Sequence, residues 1–290
     1  MVDWNALDYS MSPAGYRELR TAAVRVTVPA LAYFKLWGGD HRIWLQGQVT
    51  NDLGFLSSSP WLDTCLTKPT GQLLAIIRCW EEGDHLVLAT EGGKPLQERV
   101  ETSVILEDAS LSRVETAFEC IQGPLAPAIL AGYPSDRTGS GGYETPDHSI
   151  EDLPYLSPEG YSLSTLEAGI PLRGVDYTDR TLPPELGPHF ESQHVSYTKG
   201  CYVGQEVLMR IKARGHTNKT WVGLKAQSAI PAGARVTFDS REVGTVHRAA
   251  FSPAFGYIAS ATLKNEATRE GAIVQVGDTK ATVVEMPFLR

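Results

Sequence analysis

Cys201 is the side chain whose type and setting most readily do chemistry. It stands in Lys199-Gly200-Cys201-Tyr202-Val203-Gly204-Gln205-Glu206, just ahead of a helix that the pattern predicts over 204–214, with Gly215 as its stop. Backbone N–H groups at a helix start favour a thiolate, and Lys199, two residues earlier, pushes the same way. Gly200 and Gly204 let the backbone turn tightly and approach a ligand closely. Gln205 and Glu206 fall in the first helical turn. Arg210, Lys212, Arg214 and Lys219 follow, so 199–219 holds five basic residues against one acidic. In a chain of net charge −8 that local imbalance suggests an anion-facing surface. The residues alone leave a second reading open, in which Cys201 is a buried helix-start residue and the basic run a solvated face.

The remaining candidates are fewer. Cys65, Cys79 and Cys120 are far apart, form no CxxC pair and read as reduced, buried, small hydrophobes. Seven histidines are scattered without ligand spacing, so no metal site is expected. Overall acidity argues against general nucleic-acid binding, which needs clustered Lys and Arg.

These residues need a scaffold, and 290 residues suffice for two domains or three small ones. With 42% hydrophobic and 21% charged residues, the composition is ordinary for a globular chain. The most apolar stretches have strand length, so no membrane span is expected. Asp3 and Asp8 precede the first basic residue, Arg17, which fits neither a secretory signal nor a transit peptide; a cytoplasmic protein is expected. Residues 1–23 read as a partly ordered lead-in. A helix over 41–46 is capped by Asp40, and strands are expected at 61–67, 73–80 and 85–90, with a hairpin turn at 81–84. A helix over 94–102 and a strand over 104–107 complete an α+β pattern. Further on, 113–121 and 161–166 read as strands, 123–130 as a short helix, 132–146 as a Gly-rich loop, and the region of Pro183, Pro184 and Pro188 as coil up to about 196. From 220 the character changes. Six short strands (221–225, 234–238, 242–247, 257–263, 272–276 and 280–285) separated by Gly and Asp turns predict a small antiparallel barrel.

At this point the sequence resembles a known family. Lys199–Glu206, with Arg210 and Arg214-Gly215, is similar to the signature of the YgfZ-type folate-binding proteins, relatives of the glycine-cleavage T-protein. Leu45-Gln46-Gly47-Gln48-Val49-Thr50-Asn51-Asp52 resembles the family's FLxGQxTND element, and Lys68-Pro69-Thr70-Gly71-Gln72 more loosely its Gly-containing turn. Glu167-Ala168-Gly169-Ile170-Pro171 with Gly174 and Asp176 matches an element shared with the T-protein, and Leu182-Pro183-Pro184-Glu185 the one behind it.

The resemblance implies an α+β, three-domain, T-protein-like ring or cloverleaf with a C-terminal antiparallel β-barrel. The corresponding domains are 1–112 (folate-binding, completed by part of 160–215), 113–215 (carrying the EAGIP and KGCYVGQE segments) and 216–290. It further implies tetrahydrofolate or a derivative as cofactor in a central cavity. The implied role is accessory: support of iron–sulfur cluster assembly or repair in client enzymes, some of which modify tRNA. Partners are then folate and iron–sulfur client or carrier proteins. Cys201 is the functional thiol on this view, with Lys199 beside it. Glu167 is expected to pair with the pterin's amino group and ring N–H, as the matching glutamate does in the T-protein, and Arg210 to meet the anionic tail. Thr50, Asn51, Tyr202 and Gln205 complete the candidate folate contacts. Alternatives are a folate-dependent one-carbon (aminomethyl) transferase and an RNA-binding adaptor. Two departures from the T-protein matter, the first for the transferase alternative and the second for the pairing of Glu167 with the pterin. The T-protein uses an aspartate in the strand after its Gly-rich turn, and 71–80 holds no acidic residue; the T-protein also has an arginine where Thr165 stands here.

Overall fold

The computed structural model describes residues 2–126, 132–146 and 152–289, arranged as three sheets whose inner ends meet around a shared apolar junction. The chain enters through a short helix, α1 (Tyr16–Thr21), and a strand, β1 (Val24–Val26). Next come β2 (Leu31–Trp37), α2 (His41–Gln48), β3 (Leu62–Thr67), β4 (Leu73–Glu82), β5 (His85–Glu91), α3 (Lys94–Ser103) and β6 (Ser110–Arg113). These strands form an antiparallel sheet in the order β3-β4-β5-β2-β6. Its core is made by Leu45, Val49, Leu66, Ile77 and Leu88, all fully buried.

β7 (Glu119–Gln122), β8 (Tyr133–Pro134) and β9 (Gly142–Thr145) follow, and β1 crosses over to join them in the order β1-β7-β9-β8. Three helices come after: α4 (Pro158–Glu167), α5 (Pro188–His194) and α6 (Gln205–Arg214). The last 70 or so residues make the closed barrel expected from their turn-punctuated strands: β10 (Lys219–Ala226), β11 (Arg235–Phe238), β12 (Arg241–Ser252), β13 (Gly256–Lys264), β14 (Ile273–Val276) and β15 (Thr279–Val284). Among the described residues no helix is long and apolar enough to cross a membrane.

Several expectations are corrected. Residues 161–166 are helical, not a strand. Ser157 caps the helix by accepting the Gly160 N–H (3.1 Å), Pro158 sits in the first turn and Glu159 faces the positive helix end. Residues 104–107 form bends, because the Glu107 carboxylate accepts the N–H groups of Ile105 and Leu106 and turns the chain back; the strand forms at Ser110–Arg113. Within 113–121 only the two ends are strand, Arg113 closing β6 and Glu119 opening β7. The Gly-rich 132–146 contains β8 and β9, and the supposed coil near Pro188 contains α5. The helix expected over 123–130 falls partly outside the described residues. The lead-in is also better built than its sequence suggests, for Tyr16 and Leu19 of α1 are fully buried.

Tyr16, Leu19, Leu166, Trp221 and Phe288 belong to one cluster contributed by α1, α4, the barrel and the segment after β15. The three sheets therefore share a packed centre, and the functional residues must be placed relative to it.

Candidate functional site

Two motifs singled out in the sequence are positioned first. Glu167 closes α4, completely buried. Its carboxylate accepts the Tyr16 hydroxyl, 2.7 Å from both oxygens, and the Ser252 hydroxyl of β12 at 2.6 Å, and it pairs with the Arg20 guanidinium of α1. Arg20 is anchored in turn by the Thr138 carbonyl (3.1 Å) and the Ser140 hydroxyl (2.7 Å). Thr165 accepts Arg248 Nη1 at 2.6 Å, and the same guanidinium holds the carbonyls of Ser162 and Ile170. Asp176 accepts Trp221 Nε1 (3.1 Å) and the Ser260 hydroxyl (2.6 Å). The Glu167–Asp176 element is thus an internal joint between α1, α4 and the barrel. Both oxygens of Glu167, expected from the resemblance to meet the pterin, are engaged by protein donors.

The second motif has opposite exposure. Cys201 is exposed, the only such cysteine of the four; Cys65, Cys79 and Cys120 are buried, and burial raises their thiol pKa values. The segment is fixed around it. Gly204, at φ 89°, has no room for a Cβ, which would come within 2.7 Å of Thr67 Oγ1 and 2.8 Å of the Lys68 carbonyl oxygen. Thr67 donates to the Val203 carbonyl (2.6 Å), and the Val203 N–H reaches the Gly47 carbonyl (3.2 Å).

Lys199 does not activate the thiol directly. Its ammonium is buried and donates to the carbonyls of Gln46 (2.7 Å), Val49 (2.9 Å) and Asn51 (2.7 Å), with the Tyr202 ring 5.3 Å away. Burial pushes this group down to about 8, with Asp52 opposing the shift. Three carbonyls need all three N–H donors and so favour the charged form at neutral pH.

The other expected contacts are also structural. The Thr50 hydroxyl donates to the His194 carbonyl (2.6 Å), and Asn51 Nδ2 donates to the carbonyls of Asp63 (2.9 Å) and Gln193 (2.7 Å). Tyr202 is buried among Val195, Leu208 and Tyr197. Gln205 opens α6, and Arg210 lies on its surface, paired with Glu206 at 2.8 Å. Lys199, Thr50, Asn51 and Tyr202 come together as a joint; Glu167 and Arg210 lie elsewhere.

A cavity of about 380 Å³ opens behind that joint, where the first sheet, α4, α5 and the segment after β15 converge. Trp61, Ile76, Tyr161, Tyr177 and Phe190 give it aromatic and apolar walls. Asp63 and Arg78 face it as a two-pronged pair, 2.7 and 2.8 Å. Burial alone would raise the Asp63 carboxyl, but Arg78 overrides it and holds the group at about 2. His194 bonds the Phe190 carbonyl through Nδ1 (2.9 Å), and burial keeps its pKa below the ordinary value. Glu91, at the end of β5, completes the polar lining, and burial pushes its carboxyl above the ordinary value.

None of the cavity's polar residues was picked out from the sequence. They are drawn from 61–91, 136–139, 161–177 and 189–194, so no local spacing marks them; the acidic Glu91 just before Gly92-Gly93 at a strand end was the one available signal. A wider groove of about 780 Å³ between α5, α6 and the barrel contains none of the candidate residues. No group of three or more His, Cys, Asp or Glu among the described residues could hold a metal ion.

With this geometry in place, comparison with known proteins gives a consistent picture. Residues 219–289 match the glycine cleavage T-protein C-terminal barrel domain. An aminomethyltransferase of Bacillus subtilis is 25% identical, over 98% of this chain and 92% of its own. A tRNA-modifying protein YgfZ of Colwellia psychrerythraea is 24% identical, over 68% of this chain and 69% of its own. The chain is thus similar both to YgfZ tRNA-modifying proteins and to aminomethyltransferases of the T-protein kind. The crystal structure of glycine cleavage system aminomethyltransferase T from Bartonella henselae has a TM-score of 0.79 to it at 18% identity, covering 94% of this chain and 88% of that one. The α+β, T-protein-like architecture with its closed C-terminal barrel is therefore as expected. Within that fold, β4 presents Ile76 and Arg78 to the cavity, and neither is a carboxylate.

Proposed function

We propose that this protein binds tetrahydrofolate or a derivative in the central cavity. On this reading it serves as an accessory factor for iron–sulfur enzymes, including tRNA-modifying ones, through the exposed Cys201. The observation that carries the folate part is the cavity itself. Its volume lies in the range of small-molecule sites, its walls are aromatic, and it holds one carboxylate without a protein donor. The group fits what is there: a flat, apolar, hydrogen-bonding ring system suits walls built from Trp61, Tyr161, Tyr177 and Phe190. A bound reduced folate would supply a one-carbon or electron-rich ring; the chain's own residues bind it, orient it and keep water from its ring.

Two alternatives lose support. Aminomethyl transfer of the T-protein kind has no acidic residue in the cavity-lining part of β4 to serve it, since Glu81 and Glu82 lie at its exposed far end. An RNA adaptor needs free cations, yet four of the five bases in 199–219 are engaged: Lys199 with carbonyls, Arg210 with Glu206, Lys212 with Glu191 at 3.7 Å and Lys219 with Glu185 at 3.9 Å.

Anaerobic calorimetric titration with tetrahydrofolate tests the reading directly. Saturable one-to-one binding is expected, and an absence of heat at millimolar ligand would rule it out. The thiol part is tested separately, by whether Cys201→Ala restores the activity of iron–sulfur enzymes in cells lacking the protein; full restoration would exclude a role for the thiol.

A further inference from the structure

Three carboxylates line the cavity, and two are already satisfied. Asp63 is held by Arg78, and Asp136 accepts the N–H groups of Thr138 (3.1 Å) and Gly139 (2.7 Å). Glu91 has no hydrogen-bond or ion-pair partner among the described residues. The two guanidinium groups near enough to influence it are committed elsewhere. Arg137 is bound to Glu144 through Nε (2.6 Å) and Nη2 (3.2 Å), and Arg173 to the Leu74 carbonyl at 2.6 Å.

Two tyrosines share this end of the cavity. Tyr161 of α4 and Tyr177 are buried, and neither hydroxyl has a partner among the described residues. Burial raises both phenols, the charge of Glu91 adds to the rise in each, and all three residues line the same cavity. A partly desolvated carboxylate whose oxygens take no bond from the protein is a costly arrangement for the empty protein. It becomes favourable when a ligand brings donors. A carboxylate presents two parallel acceptor oxygens and is matched best by two parallel N–H groups in one plane.

We infer that Glu91 is the ring-reading carboxylate of this cavity. It accepts two parallel N–H···O hydrogen bonds from the 2-amino and ring N–H edge of a reduced pterin, with the Tyr161 and Tyr177 hydroxyls beside it for neighbouring ring heteroatoms. Glu167, which the motif suggested for this task, is instead the structural partner of Arg20. The inference rests on the cavity being the folate site, and it adds which residue selects the ring.

The test uses the full-length protein and two probes: tetrahydrofolate, and p-aminobenzoylglutamate, which has the tail but lacks the ring. In Glu91→Gln, one acceptor oxygen becomes an NH2 group that opposes the ring's donors. Tetrahydrofolate affinity should fall about ten- to a hundredfold, the worth of a hydrogen bond to a charged group, while p-aminobenzoylglutamate affinity stays within twofold. Removing a partly desolvated, unpaired charge should leave the melting temperature unchanged or raised. Glu91→Asp, which keeps the charge but withdraws it by one methylene, should lose affinity for tetrahydrofolate alone and guards against a misfolded Gln variant. If the wild type binds tetrahydrofolate and both variants bind it within twofold of wild type, the assignment of Glu91 is overturned while the folate reading stands. Equal losses for both probes also overturn it, since Glu91 would then not read the ring. If the wild type does not bind tetrahydrofolate, the functional reading fails and the assignment with it.

Discussion

Glu167, fully buried, and Glu91, partly buried, both stand at the ends of secondary-structure elements, and they live under opposite conditions. Glu167 has three donors from α1 and β12 around it, whereas Glu91 lines a cavity and takes no bond from any described residue. The same contrast separates Lys199 from Cys201, two residues apart in one segment: the ammonium is spent on three carbonyls and the thiol is open to solvent. Residue type and motif membership do not make a site. What decides is whether the group's bonding capacity is already used by the protein.

The largest break in that comparison should come from Glu167→Ala. It leaves the Arg20 cation buried without its carboxylate, and a loss of about 3–5 kcal/mol in unfolding free energy is expected. Urea unfolding reads it, and adding Arg20→Met should recover part of the loss; a change under 1 kcal/mol would mean that Glu167 is no structural partner. Lys199→Met strands three carbonyls and should cost about 2–4 kcal/mol in the same assay. If that variant unfolded at the wild-type midpoint, the joint between 46–51 and 199 would not contribute.

Glu91 predicts a smaller effect with a characteristic pH dependence. Its folded carboxyl titrates above its unfolded value, so between the two the folded chain holds more protons and is stabilised as pH falls. Arg137, Arg173, Tyr161 and Tyr177 face the group, and the arginines limit the shift. Stability of the wild type relative to Glu91→Gln should therefore rise as pH is lowered toward the ordinary carboxylate range; a flat difference would refute it. The smallest effect belongs to Cys201→Ala, which should change stability by no more than about 0.5 kcal/mol, because the side chain is exposed. A fall of several degrees in melting temperature would show that the thiol is a packing residue after all.

The barrel was legible because its strands are short, alternate in character and are separated by turn residues, so local sequence carries the register. The helix α6 was legible for a similar reason: Gly204 and Gly215, both at positive φ, bracket it. The misreading of α4 arose where Tyr161 and Leu163 mimic alternation and the Ser157-Pro158-Glu159 start went unused. α1 and β2 escaped notice because their burial comes from partners far along the chain, Glu167 for Arg20 and β5 for β2. The candidate site was the least legible part. The motifs marked the joints of the molecule, and the cavity those joints enclose is lined by residues that only the assembled units bring together.

Lys199 has one more consequence, for the order in which the molecule can be finished. The carbonyls it satisfies lie 148 to 153 residues earlier in the chain. During synthesis at about 5–20 residues per second, the loop after α2 waits roughly 8–30 s for that ammonium to be made. The first sheet can pair its own strands in the meantime, but its 46–51 edge stays unfinished on the ribosome until most of the protein has been translated.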